Sequence, residues 1–498
     1  MVVSKWRHSF TNFLNNTRPY PILAAVGAGL YPYLFYFSNN FELVNSWSHV
    51  GYFTLIFLLV PAISFFAASR IFATSALKKW QTKVLTCLNF FFFLFFLKLA
   101  FIGEFKNGIT LLVAFVAVVL ALLFSKYYKR IIIIQLLLAV VAFFYLVPKV
   151  ISQVSESSRW MEQPDAIEAV VLVEKPNIYL IQPDGYTNFS ELKKGYYKLE
   201  DNTLESFLVQ EKFTLYPGFR SNYASTLTSN SSLFAMKHHY YHRSFNFTES
   251  LNAREVIVAS NPVLSILQNN DYSTYYLAER PYLLVNRPVL GYDFSNYLQN
   301  EVEYITTGIS EKKDILPFLE EYLNDSIQRP KFFFIELFSP GHIAVTKQKS
   351  EGIEAERDKW IERMHESNMQ QEVIISNIKK HDPKALIIVL ADHGGFVGME
   401  YMHEAYQKTD DINLINSIFS SNLAIYWQGK EVPLADEYLK SSVNLFRILI
   451  SYLSQNTSLL NNLQEDGSYI PITNGAPKGV YQYIDANSEI QFEKYNGK

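Results

Sequence analysis

Apolar stretches too long for a soluble core alternate with short basic loops through the first 150 residues, and this restricts the fold before any motif is read. A helix needs about 20 mostly apolar residues to cross a bilayer's hydrocarbon core. Residues 20–38, 49–69, 84–104, 109–125 and 131–148 meet or approach that length, so five membrane-spanning helices are expected. Only a few residues separate the third from the fourth, which predicts a tight helical hairpin, and Lys98 near the end of the third can snorkel to the interface. Lys5, Arg7 and Arg18 precede the first stretch; Arg70, Lys78, Lys79 and Lys83 follow the second; Lys126, Lys129 and Arg130 follow the fourth. The alternate loops hold few cations: 39–48 has Glu42 and no Lys or Arg, and 105–108 has only Lys106. Basic loops stay in the cytoplasm, so the N-terminus is expected inside and everything after Pro148 outside. No short basic n-region precedes the first stretch and no small-residue cleavage site follows it, so it is not read as a removed signal peptide.

The mean hydropathy of +0.03 conceals this division. Residues 1–150 carry 13 Lys and Arg against two acids, Glu42 and Glu104, a formal charge of +11; the remaining 348 residues carry 31 against 45, a formal −14. The single cysteine, Cys87, lies in an apolar stretch, which excludes a disulfide framework and a thiolate metal cluster. Few ionisable residues fall within the spans, unlike the pattern of pumps and carriers. Residues 151–175 read as a juxtamembrane linker. From 176 to 498, apolar strands at 177–182, 274–278, 331–338, 385–390 and 422–427 alternate with helical stretches at 197–209, 226–237, 311–325 and 352–380. Continuous apolar runs between helices predict an α/β domain with a mostly parallel sheet and helices on both faces. The polar tail, 456–498, carries a candidate hairpin.

Ligands of open parallel sheets bind beyond the carboxyl ends of the strands. Three expected strands run into suggestive residues there: Asp184-Gly185, Ser339-Pro-Gly-His342, and Asp392-His393-Gly394. Asp184, Asp392 and His393 form an O/O/N set suited to a divalent ion such as Zn²⁺ or Mn²⁺. The segment Phe219-Arg-Ser-Asn-Tyr-Ala-Ser-Thr226-Leu-Thr-Ser supplies hydroxyls where a helix begins. A metal lowers a hydroxyl's pKa and a helix N-terminus favours an anionic phosphate, so a Ser or Thr there can act as a nucleophile.

These motifs resemble the alkaline phosphatase superfamily, in the membrane-anchored sulfatase-like branch that holds lipoteichoic acid synthases and phosphoethanolamine transferases. The residues that carry the resemblance are Asn177-Ile-Tyr-Leu-Ile-Gln-Pro-Asp184-Gly, Ser221-Asn-Tyr-Ala-Ser-Thr226, Ala391-Asp392-His393-Gly394 and Ser441-Ser-Val-Asn-Leu-Phe-Arg447. The resemblance implies an alkaline-phosphatase-like outer domain in which Asp184, Thr226, Asp392 and His393 hold the first metal. It makes Thr226 the nucleophile of a phospho-threonine intermediate, with Ser225, Thr228 and Ser229 as competitors. His342 and His403 become candidates for a second metal or for substrate. Arg220 and Asn222 become candidates for phosphoryl oxygens, and Glu336 for orienting a ligand. The cofactor would be one or two divalent ions, Zn²⁺ or Mn²⁺ first, with Mg²⁺ or Ca²⁺ as alternatives.

The departures narrow the chemistry. No Cys or Ser followed by x-Pro-x-Arg stands at the nucleophile segment, which argues against a formylglycine sulfatase. The disulfides common in phosphoethanolamine transferases cannot form with one Cys, and Gly395 stands where that branch has Glu. His238, His239 and His242 read as packing residues. The resulting expectation is transfer of a phospho-head group from a phospholipid donor to an envelope glycan or lipid acceptor, at the outer face of the cell membrane. A phosphodiesterase or phosphatase of the same fold is the alternative, and an inactive envelope assembly protein the rival from another class. No basic, aromatic-interleaved patch suggests nucleic acid.

Overall fold

The long apolar stretches form helices. The computed structural model describes residues 11–74, 76–103, 107–155, 157–241, 252–309 and 312–497; Lys5, Arg7, Glu104, Lys106 and His242 lie outside the described residues. Two compact units divide the chain: Met1–Ser155 with Val285–Arg287 and Glu303–Thr307, and Glu156–Leu284 with Pro288–Val302 and Gly308–Lys498.

In the first unit, four helical runs among the described residues are long and apolar enough to cross a membrane: Pro21–Asn39, Trp47–Ile71, Lys78–Phe101 and Asn107–Val154. This corrects the expected count of five, because the expected fourth and fifth spans share one 48-residue run. That run turns back on itself through the 3₁₀ turn Ser125–Tyr127. Lys98 on the preceding helix is buried and donates to Thr110 at 3.2 Å, so the run starts at that end of the bundle. Lys129, just past the turn, donates to the Phe13 carbonyl at the opposite end (2.7 Å), and Lys149 donates to the Ser38 carbonyl back at the first end (2.6 Å). The other helices alternate likewise. Tyr36 packs on Phe53 (5.0 Å between ring centroids) while Ala24 and Ala25 meet Phe65, so the first two helices are antiparallel. At Gly29 a Cβ would lie 1.8 Å from the Phe57 carbonyl oxygen, so only glycine permits that approach. One reciprocal amide pair is buried among the apolar side chains: Asn89 and Gln135 exchange two hydrogen bonds of 2.9 Å.

In the second unit the strands are β1 (Ile178–Pro183), β2 (Thr214–Leu215), β3 (Ser273–Ala278), β4 (Phe294–Ser295), β5 (Lys331–Leu337), β6 (Leu386–Leu390) and β7 (Leu423–Trp427). They build one sheet in the order β2-β7-β6-β1-β5-β3-β4. The pairs from β6 to β4 are parallel, and β7 is antiparallel to both its neighbours. Every residue of β1, β3, β5, β6 and β7 is buried, as continuous apolar runs require when helices cover both faces. One face packs on the helices Thr226–Ala235 and Leu445–Ser454 through Leu233, Phe234 and Phe446; the other packs on Ile353–His381 through Trp360, Met364 and Ile374. Residues 157–175, expected as a linker, join this unit: Ile167 and Leu172 enter its core, and Asp165 pairs with buried Arg447 at 2.7 Å. The C-terminal strands β8 (Ser468–Ile472), β9 (Gly479–Ile484) and β10 (Ile490–Lys494) form a separate antiparallel sheet.

Candidate metal centre

Asp184 directly follows β1, and Asp392 and His393 lie one residue beyond β6, its parallel neighbour. Adjacent strands thus deliver all three to one rim of the sheet, where their ligand atoms lie within 4.8 Å of one another. His393 Nε2 stands 3.4 Å from Asp184 Oδ1 and 3.4 Å from Asp392 Oδ2. Both carboxylate oxygens are buried with no hydrogen-bond partner among the described residues. The other Asp392 oxygen, Oδ1, accepts from the backbone N–H groups of Gly185 and His393, each at 2.9 Å, which fixes the carboxylate plane. His393 Nδ1 lies 2.8 Å from the Gly394 carbonyl, an acceptor, so Nδ1 carries a proton and the imidazole in its neutral form presents a lone pair at Nε2. Three electron-pair donors therefore converge on one point. Atoms bonded at about 2.0–2.2 Å to a tetrahedral ion stand roughly 3.3–3.6 Å apart, so the spacing fits a cation of that kind.

The electrostatics agree. Burial, then the neighbouring Asp392 carboxylate, pushes Asp184 up to about 7. Burial alone would lower His393, but the Asp392 and Asp184 carboxylates outweigh it and the net shift is upward. Two buried acids held this close are costly unless a positive charge sits between them. Glu336, at the end of β5, accepts from the Tyr276 hydroxyl (2.7 Å); burial raises its carboxyl to about 8, so it is largely protonated at neutral pH.

Thr226 opens the helix Thr226–Ala235 and is half-buried. Asn230, one turn further on, exchanges two hydrogen bonds with Gln182 of β1, at 2.7 and 2.8 Å. Phe234, another turn on, packs on Phe334, which is level with Leu180 in the sheet. The helix therefore descends as β1 rises. One helical turn (about 5.4 Å) above Asn230 and two strand residues (about 6.6 Å) above Gln182 bring Thr226 level with Asp184. Of the neighbouring hydroxyls, Ser225 and Thr228 bond each other (2.8 Å) and Ser229 bonds the Tyr223 carbonyl (2.9 Å). The Thr226 hydroxyl makes no hydrogen bond among the described residues. Ser225 makes no side-chain cap, which leaves first-turn N–H groups facing outward for an anion.

The other expected residues divide. His342 lies beside the centre, its ring 6.3 Å from that of His393; Nδ1 is bonded to the Ile343 carbonyl and burial lowers the imidazole to about 4. The turn carrying His403 is joined to the loop after His342 by backbone bonds from Met402 to Ala344 and from His403 to Val345, but the His403 side chain is exposed and packs near Tyr406. Arg220 and Asn222 correct the expectation of phosphoryl contacts. Arg220 donates to Ser488 Oγ (2.8 Å) and to the Asp466 and Asp485 carbonyls (2.7 and 3.0 Å). Buried Asn222 is saturated by Ser441, Ser442, Val443 and Gly467. Both fasten the hydroxyl-bearing loop rather than face the centre. His238 and His239 pack on Tyr223.

Sequence reasoning missed the scaffold. Trp360 donates to the Gly341 carbonyl (2.8 Å), and Arg363 bonds the Pro340 and His342 carbonyls (2.7 and 3.0 Å), so the long helix fixes the His342 loop. The Trp360 indole also fills the space beside Gly395, where a Cβ would lie 2.4 Å from Nε1. Gly185, at φ +62°, lies where a Cβ would be 2.4 Å from the Gly341 carbonyl oxygen, so the Asp184 and His342 loops touch through their backbones.

No protein-family model and no curated protein matches the chain. Among solved structures, it is similar to the integral membrane lipooligosaccharide phosphoethanolamine transferase A (EptA) from Neisseria meningitidis, at 12% identity and a TM-score of 0.40, covering 87% of this chain and 95% of that one. It is also similar to the C-terminal periplasmic domain of EcEptC from Escherichia coli in complex with Zn (13% identity, TM-score 0.43, 63% and 93% covered). A third similar structure is the lipoteichoic acid synthase LtaP from Listeria monocytogenes (14% identity, TM-score 0.41, 65% and 90% covered).

Proposed function

We propose that this chain is a membrane-anchored phosphotransferase whose outer unit uses a divalent metal and the Thr226 hydroxyl. The observation that carries this reading is the convergence of Asp184 Oδ1 and Asp392 Oδ2 on His393 Nε2, each at 3.4 Å, both oxygens lacking a donor among the described residues. Asp184, Asp392 and His393, with Thr226 as the fourth ligand, would hold one ion, Zn²⁺ or Mn²⁺; when bound it supplies Lewis acidity that lowers the threonine's pKa. Thr226, set on a helix start level with Asp184, attacks the phosphorus of a phosphodiester. The donor's P–O bond breaks and its alcohol leaves with a proton. The first-turn N–H groups orient the phosphoryl oxygens through both halves of the reaction. A second alcohol then attacks the phospho-threonine and frees Thr226. His342 is the nearer candidate for the substrate or a second ion, and His403, on a loop joined to it by backbone bonds, is the further one.

The apolar helical runs support a multi-pass membrane anchor, and the basic loops support a cytoplasmic N-terminus with the outer unit outside the membrane. A phospholipid donor and an envelope glycan or lipid acceptor fit that placement. A phosphodiesterase of the same site would use water as the second nucleophile, and dependence of product on added acceptor separates the two.

Mass spectrometry of the full-length protein incubated with phospholipid tests the mechanism. A phospho-adduct on Thr226, absent in Thr226→Ala and retained in Thr226→Ser, is expected. An adduct on Ser225, Thr228 or Ser229 would reassign the nucleophile. Full turnover by Thr226→Ala would sink the covalent mechanism.

A further inference from the structure

At the end of the helical unit opposite Lys98 and Ser38, a cavity of about 490 Å³ opens between residues 14–19, Thr82 and residues 125–130. Four cations line it, Arg18, Lys126, Lys129 and Arg130, and no carboxylate does. Lys129 is committed to the chain itself, donating to the Phe13 carbonyl (2.7 Å) and to Asn16 Oδ1 (2.8 Å). Arg18, Lys126 and Arg130 are exposed, and the last two stand 4.9 and 5.5 Å from the Tyr127 ring centroid, which holds their charges at one place. Thr82, Ser125 and Tyr127 add neutral donors to the lining.

Gathered cations repel one another unless something compensates them. Residues 1–150 offer little: Glu42 belongs to the short helix Phe41–Val44 at the far end of the bundle, and Glu104 lies outside the described residues. Among the described residues that line the cavity, none supplies a compensating carboxylate. Basic pockets among helix ends at a membrane face attract acidic head groups, and an interfacial tyrosine suits that depth. A volume above about 300 Å³ accommodates a phosphodiester with its neighbouring alcohol.

We infer that this cavity is a binding site for a phosphate-bearing anion, supplied either by the head group of an acidic phospholipid or by free phosphate. The inference rests on the helical unit lying in a bilayer; it does not depend on Thr226 or on transfer chemistry, so the two readings fail separately.

The test is native mass spectrometry of the full-length protein in neutral detergent, with phosphatidylglycerol or phosphatidylcholine added, with and without millimolar inorganic phosphate. The wild type should retain phosphatidylglycerol at least tenfold more than phosphatidylcholine. At about 5-fold per exposed cation, Arg18→Gln/Lys126→Gln/Arg130→Gln should weaken retention roughly 100-fold. The charge-keeping set Arg18→Lys/Lys126→Arg/Arg130→Lys should bind within about twofold of the wild type, as a phosphate site demands. Displacement of the lipid by inorganic phosphate would support the site with a free anion as its source; no displacement, with preference retained, would support the lipid. Equal retention by the wild type and the neutralised set would overturn the site. So would a wild type that binds neither phosphatidylglycerol selectively nor phosphate, a result that stands even if the neutralised set fails to fold.

Discussion

Stripping the metal should make the outer unit acid-loving. Asp184 titrates near 3.9 when unfolded and is pushed up to about 7 in the fold by burial and by Asp392. A group whose folded pKa is raised contributes stability that is fully present below the unfolded value and lost as pH climbs through the folded one. The window is therefore about pH 4 to 7, and His393, also raised, continues the loss with the same sign above its ordinary value. Roughly three pKa units correspond to a ceiling of about 4 kcal/mol. Because Asp184 and His393 respond to the same charges, a loss on the order of 2–4 kcal/mol is expected. For a domain of this size that is roughly 3–6 °C in melting temperature. With excess Zn²⁺ the order reverses, because the cation competes with protons for the same atoms; at 100 times Kd it adds about 2.7 kcal/mol. The assay is thermal unfolding by tryptophan fluorescence of the full-length protein, chelated or with Zn²⁺, from pH 5 to 8. Asp184→Asn keeps the volume and removes the charge, so its chelated form should lose most of the pH slope and its Zn²⁺ gain should shrink. A chelated wild type whose melting temperature stays level or rises from pH 5 to 8, or a Zn²⁺ gain unchanged in Asp184→Asn, would refute the reasoning.

Other variants probe the scaffold. Gly395→Glu drives a side chain into the Trp360 indole and should cost about 3 kcal/mol or more, visible as a lower melting temperature and reduced bound metal. Asn230→Ala or Gln182→Ala strands one half of a buried amide pair and should cost about 1–3 kcal/mol; either should lower the yield of phospho-threonine more than the metal content, because the helix start shifts and the three side-chain ligands stay. Arg447→Met leaves Asp165 without its partner and should destabilise by about 3–5 kcal/mol in chemical denaturation, with the double variant Arg447→Met/Asp165→Leu recovering part of the loss. Asn222→Ala should lower the melting temperature while the metal content of the folded fraction stays unchanged, because its amide bonds only the 441–443 and 467 loops.

Five of the seven strands in the large sheet were legible from the sequence because burial on both faces leaves uninterrupted apolar runs, as in Ile178–Pro183 and Leu386–Leu390. β2 and β4, two residues each, carry too little pattern to read. Asp184, Asp392 and His393 were legible because the carboxyl ends of such strands must share a rim. Arg220 and Asn222 were misjudged because nearness to Thr226 in sequence suggested nearness in purpose, whereas their partners lie about 220–270 residues away. The Trp360–Gly395 contact left no local sign, since an indole filling a glycine notch depends on how a helix lies across the sheet. The merging of the last two apolar stretches was hidden because Ser125–Tyr127 turns the chain while remaining helical.

Arg220 and Asn222 also bear on the order in which the protein assembles. The loop they belong to leads into Thr226, yet it is fastened by residues 441–443, 466–467, 485 and 488, synthesised more than 200 residues later. While the chain is being made, the helix start of the proposed nucleophile exists without its anchors. The hydroxyl is thus among the earlier parts of the outer unit to leave the ribosome and among the last to be locked. The loop ahead of Thr226 therefore reaches its final form only after nearly all of the described second unit has been synthesised.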